Sequence, residues 1–119
     1  MNCKSNKILF VIDKVELKYF EFNNLVTDFW LIKEMLEREQ DVFVTTIDKL
    51  GVEKAKAYCK CAKSFVKGNN IYLHENFETI TIEDFQLVMF RPDPPVDLDY
   101  INATYVLDFV DREKILILN

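Results

Sequence analysis

Hydrophobic and polar positions change their spacing along the chain, and each change predicts an element. Residues 7–13 contain a continuous apolar run from Ile8 to Ile12 with Asp13 after it, which is typical of a strand buried on both faces of a parallel sheet. The spacing becomes helical at 27–38 and returns to a strand at 41–47, which predicts a βαβ unit. The apolar face of this first helix comprises Phe29, Ile32, Met35 and Leu36.

The second half of the chain begins with a different pattern. Residues 55–66 and 71–75 are shorter, alternating runs on either side of Lys67-Gly68-Asn69-Asn70, a turn signal that predicts an antiparallel hairpin. A central strand at 85–90, a helix at 97–112 and a buried last strand at 114–118 follow. We therefore expect an α/β fold, a Rossmann-like and mostly parallel sheet flanked by helices, with an antiparallel hairpin inserted.

The helix predicted at 97–112 has an unusually wide apolar arc. A helix that only lies on a sheet needs a narrower face, so part of the arc is a candidate for contact with another domain or subunit. Dense packing within the domain is the alternative. One side of the arc comprises Leu98, Ile101, Tyr105 and Phe109, and the other comprises Ala103, Val106, Leu107 and Val110.

Composition restricts the class of protein. The 119 residues are half hydrophobic and include ten Phe, which indicates one folded domain rather than a disordered chain. A net charge of -5 provides no electrostatic footprint for nucleic acid. No apolar run approaches the roughly 18 residues of a membrane span, and the start of the chain lacks the pattern of a cleavable signal. We expect a cytoplasmic protein that binds neither nucleic acid nor membrane.

Several kinds of chemical machinery are missing from the sequence. Gly51 and Gly68 are the only glycines, too few for a phosphate-binding loop, so nucleotide binding by this domain alone is not expected. His74, the only histidine, falls in the predicted hairpin, which argues against a catalytic triad or a zinc site. Cys59 and Cys61 share one face of a strand, and we interpret them as reduced structural thiols. The sequence predicts no catalytic residue and no metal site.

The strongest candidate site is a charged, proline-locked loop, Arg91-Pro92-Asp93-Pro94-Pro95, that follows the strand at 85–90. Ligands of open α/β sheets bind in the crevice at the carboxyl ends of the strands, where this loop would begin. The proline rings restrict its conformation, so it presents charge at little entropic cost on binding. The alternative is that Asp93-Pro94-Pro95 merely ends the strand and starts the next helix.

The loop and the segments after it resemble the bacterial glutathione synthetases. The resemblance rests on Arg91-Pro92-Asp93-Pro94-Pro95 after a strand, on Ala103-Thr104-Tyr105 in the next helix and on a last strand that ends in Asn119. It is strongest over 85–119, moderate for the first strand and only general for the hairpin. Two departures are a Val26-Thr27-Asp28 sequence where the family has an Asp-Ser pair, and Phe90 between Met89 and Arg91; we take Phe90 to replace the family's Met.

The resemblance implies the N-terminal, pre-ATP-grasp domain of a ligase that joins γ-glutamylcysteine to glycine using ATP and magnesium. Residues 1–119 would be that single domain, inactive alone, with the central and ATP-grasp domains and the sites for ATP and Mg²⁺ outside this chain. The full enzyme is expected to be a homodimer or homotetramer. The positions that match the family's substrate cleft are Arg91, Asp93, Pro94 and Pro95, with Asp13 as a companion at the neighbouring strand end.

Two other functions remain open at this stage. One is the N-terminal domain of a different ATP-grasp peptide ligase with another acceptor. The other is a stand-alone Rossmann-like module for binding or dimerisation, in which the loop binds no substrate.

Overall fold

The computed structural model describes residues 6–12, 27–91 and 98–118. Within these ranges the chain forms eight strands and two α-helices. In chain order they are β1 (Lys7–Ile12), α1 (Thr27–Glu37), β2 (Asp41–Thr46), β3 (Leu50–Glu53), β4 (Lys56–Lys67), β5 (Asn70–Leu73), β6 (Glu78–Thr81), β7 (Leu87–Phe90), α2 (Leu98–Leu107) and β8 (Leu116–Leu118), with 3₁₀ turns at Ile47–Lys49 and Ile82–Asp84.

The strands form one mixed sheet whose parallel part is the predicted Rossmann-like core. β1 pairs in parallel with β2 on one side and with β7 on the other, and β8 extends the sheet beyond β7. β1 and β2 flank α1 in the chain, which confirms the predicted βαβ unit. The central position of β7 is also confirmed, although the strand starts at Leu87 and the buried Phe85 precedes it.

The antiparallel part is larger than the predicted hairpin. β4 and β5 form that hairpin, and Gly68 supplies the positive φ of 65° that its tight turn requires. β4 is long enough to pair with three more strands: β2, β3 and β6. β3 and β6 were not predicted, because four-residue strands with little alternation carry a weak sequence signal.

The two helices cover opposite faces of the sheet. On the α1 face, Phe29 and Ile32 pack on alternate residues of β1 and β2, including Ile12 and Val44. On the α2 face, Ala103 and Leu107 pack on the intervening residues, such as Val11. Because alternate strand residues point to opposite faces, the continuous apolar run of β1 serves both cores, as its sequence predicted.

α2 is shorter than predicted and its apolar arc is only partly packed. The helix ends at Leu107 rather than at Arg112, because the amides of Phe109 and Val110 close tighter i→i+3 bonds, to Val106 and Leu107. This turn buries Val110 and directs the chain towards β8. The other side of the arc remains exposed, and we call it the outer stripe: Leu98 (71% exposed), Ile101, Tyr105 (63%) and Phe109 (54%).

The last strand differs from the buried strand that was predicted. β8 comprises Leu116–Leu118 and lies at the edge of the sheet, paired in the described structure with β7. Ile117 packs on the α2 face, whereas Leu116 (57% exposed) and Leu118 point the other way and are exposed. The error arose because an apolar run indicates burial only where the fold supplies a covering element.

No helix in the described part of the chain is long and apolar enough to cross a membrane.

Candidate functional site

The carboxyl ends of three parallel strands meet at one edge of the sheet. β1 lies between β2 and β7, and Ile12, the last residue of β1, is paired with Thr46, the last residue of β2. On the other side Val11 is paired with Phe90, and the Arg91 amide extends this ladder by donating to the Val11 carbonyl at 2.8 Å. Thr46 and Arg91 therefore flank the end of β1.

Arg91 lies where the sequence predicted it, at the carboxyl end of a central strand. Its side chain is half-buried. Met89 packs against the α1-face core, so strand alternation directs Arg91, two residues later, to the same face. Phe90 points to the α2 face, where it is buried and its ring meets that of Tyr100 edge-on at 5.4 Å. Phe90 thus fixes the point at which Arg91 leaves the sheet.

The other predicted site residues lie outside the described residues. These are Asp13, which follows β1, and Asp93, Pro94 and Pro95, which follow Arg91. Whether they lie near Arg91 stays a prediction of the sequence.

A second polar group at this edge was missed by the sequence reasoning. Thr46 is fully buried, and its hydroxyl donates to Asp48 Oδ1 at 2.5 Å and accepts from Lys49 Nζ at 2.9 Å. Lys49 Nζ also lies 3.7 Å from Asp48 Oδ2 and 5.4 Å from the centre of the Phe77 ring. The signal was available in the sequence. Thr46 ends an apolar strand and Asp48 and Lys49 come just after it, as Arg91 comes after β7. Ligands bind at the carboxyl ends of such strands, and this applies to β2 as well.

The larger cavities of the described structure lie away from this group. One of about 180 Å³ lies under α2 and is lined by residues that include Tyr100, Thr104 and Asp108. A larger one of about 660 Å³ lies beside the β4–β5 hairpin and is lined by residues that include Lys63 and His74. His74 was predicted inside the hairpin run 71–75; β5 ends at Leu73, so His74 comes directly after the strand, and its ring packs 5.1 Å from that of Phe65. It therefore lies in the hairpin and not at the carboxyl edge.

The buried thiols belong to the core. Cys59 and Cys61 are fully buried in β4, and neither forms a disulfide. A hydrogen bond with Cys61 and burial away from water raise the pKa of the Cys59 thiol far above its ordinary value. Such a thiol is a poor nucleophile. Among the described residues, no three His, Cys, Asp or Glu side chains are grouped so as to hold a metal ion.

Comparison with known proteins places this arrangement in a family. The family model for the prokaryotic glutathione synthetase N-terminal domain matches residues 7–119. The glutathione synthetase of Buchnera aphidicola (subsp. Schizaphis graminum) is 23% identical over 118 residues, covering 98% of this chain and 36% of that protein. That of Mesorhizobium japonicum is 30% identical over 96 residues, covering 78% of this chain and 30% of that protein.

A shorter similarity is higher in identity. The glutathione synthetase of Nostoc sp. is 49% identical over 39 residues, which is 33% of this chain and 12% of that protein. The chain thus spans about a third of the length of the relatives that it matches most fully.

Proposed function

Because the chain belongs to the prokaryotic glutathione synthetase N-terminal domain family, we propose that it forms the peptide-substrate wall of a ligase that joins γ-glutamylcysteine to glycine. The observation that carries the proposal is the position of Arg91 at the carboxyl end of β7, within the matched region and beside the end of β1. Open α/β sheets bind ligands at such an edge.

Arg91 has the chemistry for one part of this task. Its guanidinium is a planar fork of donors that matches a carboxylate in two parallel hydrogen bonds. A dipeptide held by one carboxylate is oriented for reaction, so we assign Arg91 a positioning contribution. Asp93 would bond to the substrate amine or to amides of its own loop. Pro94, Pro95 and Asp13 complete the proposed cleft, as the family resemblance implies.

ATP and Mg²⁺ would activate the substrate carboxylate by phosphorylation, and we assign both to the two thirds of the relatives that this chain does not match. The described residues do not fit either group, since they offer no glycine-rich loop and no cluster of metal ligands. We therefore propose that the 119-residue chain has no ligase activity by itself.

We also propose a cytoplasmic, homo-oligomeric enzyme. Cys59 and Cys61 form no disulfide, which suits a reducing compartment. The exposed outer stripe of α2 offers apolar surface for a subunit contact.

The test is Arg91→Ala in the protein as its source gene encodes it, assayed for glutathione and ADP formation. We expect kcat/KM for γ-glutamylcysteine to fall by a factor that corresponds to about 1.5 to 3 kcal/mol of lost transition-state stabilisation, the value of a charged hydrogen bond. The KM for glycine should not change. Arg91→Lys should recover part of the loss. Arg38→Ala is the matched control, because Arg38 pairs with Glu34 at the far end of α1. An Arg91→Ala enzyme that behaves like this control would contradict the proposal.

A second candidate is the stand-alone binding or dimerisation module, which the exposed outer stripe favours. In that case no glutathione forms under any condition, and Arg91→Ala changes no ligand-linked property. Assays of the gene product with different acceptor substrates also distinguish glutathione synthesis from the reaction of another ATP-grasp peptide ligase. The two enzymes would differ in the acceptor that they join to the peptide.

A further inference from the structure

The group formed by Thr46, Asp48 and Lys49 lies on the same face of the sheet as Arg91. Val44 packs in the α1-face core, so Thr46, two residues later, points to that face. Arg91 also points to the α1 face, from the end of β7 on the opposite side of β1. Two strand spacings separate Thr46 from Arg91, a distance of about 10 Å between Cα atoms. The edge therefore carries two polar groups that face the same space.

The first group holds a cation and an anion that are already positioned. Thr46 is fully buried, and its hydroxyl fixes both charged neighbours through hydrogen bonds. The ion pair itself is looser: Lys49 Nζ and Asp48 Oδ2 are 3.7 Å apart, beyond hydrogen-bond distance. Both side chains keep about 30% of their surface in contact with solvent, with Lys49 at 30% and Asp48 at 28%. A ligand with opposite charges can thus reach both groups.

We propose that Lys49 and Asp48 bind the α-amino-acid head group of the γ-glutamyl residue, Lys49 its carboxylate and Asp48 its ammonium. This rests on the proposed function. A zwitterionic head group matches a preformed ion pair charge for charge, so binding replaces one loose ion pair with two contacts and buries no net charge. Thr46 holds both side chains in place while the exchange occurs.

The extended dipeptide is about as long as the spacing between the Cα atoms of Thr46 and Arg91 across the edge. γ-Glutamylcysteine carries a carboxylate at each end, separated by about 9 Å in the extended form. In the proposed pose its γ-glutamyl head lies at Lys49 and Asp48 and its cysteinyl carboxylate at Arg91. The two groups would then select a γ-linked dipeptide by length and by charge. Specificity of this kind is strong, because a missing substrate charge leaves a charged group of the site without its partner.

Two analogues remove one charge each. Glutaryl-cysteine lacks the α-ammonium, and 4-aminobutyryl-cysteine lacks the α-carboxylate. The experiment measures kcat/KM for γ-glutamylcysteine and for both analogues, with the wild-type gene product and with Lys49→Met, Asp48→Asn and Lys60→Met. Lys60→Met is the matched control, because Lys60 is an exposed lysine on β4. The wild type should prefer γ-glutamylcysteine over each analogue by roughly 10- to 100-fold.

The variants should lose this preference selectively. Lys49→Met should accept 4-aminobutyryl-cysteine about as well as γ-glutamylcysteine while still rejecting glutaryl-cysteine, and Asp48→Asn should do the reverse. A merely structural effect would lower all three rates together and leave their ratios unchanged. If both variants keep the wild-type ratios, the inference is wrong even though glutathione is made. A wild type that makes no glutathione overturns the proposed function and the inference with it.

Discussion

At the scale of single residues, the alternation of side chains along β4 both buries the thiol of Cys59 and raises its pKa. Cys59 and Cys61 are two residues apart on β4 and share a face, so their sulfurs are close enough for a hydrogen bond. The protonated thiol donates this bond, and burial opposes the thiolate charge. Both effects raise the pKa of Cys59, which makes this thiol a poor nucleophile in the folded protein.

This raised pKa predicts a dependence of stability on pH. Above about pH 9 the unfolded thiol loses its proton while the folded thiol keeps it, so the folded state binds more protons and its stability falls as pH rises. Below that pH the contribution is fully present. The free energy of unfolding should fall more steeply for the wild type than for Cys59→Ala, by about 1.4 kcal/mol per pH unit. Urea titrations between pH 8 and 10.5 measure both slopes. Parallel slopes would contradict the assignment.

At the scale of elements, α2 shows that hydrophobicity alone does not report burial. The helix has apolar residues on most of its circumference, yet the sheet covers only the side that carries Ala103 and Leu107. The outer stripe contributes little to the stability of the domain, because its residues are largely in contact with water whether the chain is folded or unfolded.

Two leucines of α2 test the difference in stability contribution between its packed side and the outer stripe. Leu107→Ala removes a side chain that is only 4% exposed and should cost about 2 to 4 kcal/mol of unfolding free energy. Leu98→Ala, the matched change at a position 71% exposed, should cost less than about 0.5 kcal/mol. Equilibrium urea denaturation gives both values. Equal losses would mean that the outer stripe is packed in solution.

At the scale of the whole molecule, the described structure exposes apolar surface at several points, which include the outer stripe on one face and β8 at the sheet edge. Leu116 and Leu118 are exposed on a strand that is paired on one side in the described structure. Unpaired backbone beside exposed leucines promotes pairing between chains, because the edge can add another strand. The net charge of -5 opposes such contact only through long-range repulsion, which salt screens.

The isolated 119-residue chain should therefore associate in a concentration-dependent way that salt strengthens. Leu116→Lys should reduce the association, since a lysine at the edge resists strand addition. Leu98→Lys, which adds the same charge on the outer stripe, tests a contact through α2 separately. Sedimentation velocity at several protein and salt concentrations measures the effect. If Leu98→Lys dissociates the chain and Leu116→Lys does not, the contact is made by α2.

The sequence by itself determined the Rossmann-like core, the hairpin with its glycine turn and the position of Arg91 after a central strand. Each depends on local chemistry: apolar periodicity, turn conformation and the end of a buried run. Only the tertiary structure decided the pairing of β4 with β2, β3 and β6, the exposure of Leu116 and the grouping of Thr46, Asp48 and Lys49 at the same sheet edge as Arg91. Strand pairing and coverage depend on which distant segments meet, and a linear pattern carries little of that information. Thr46 and Arg91 are far apart in the chain, and only the sheet register aligns both with Ile12.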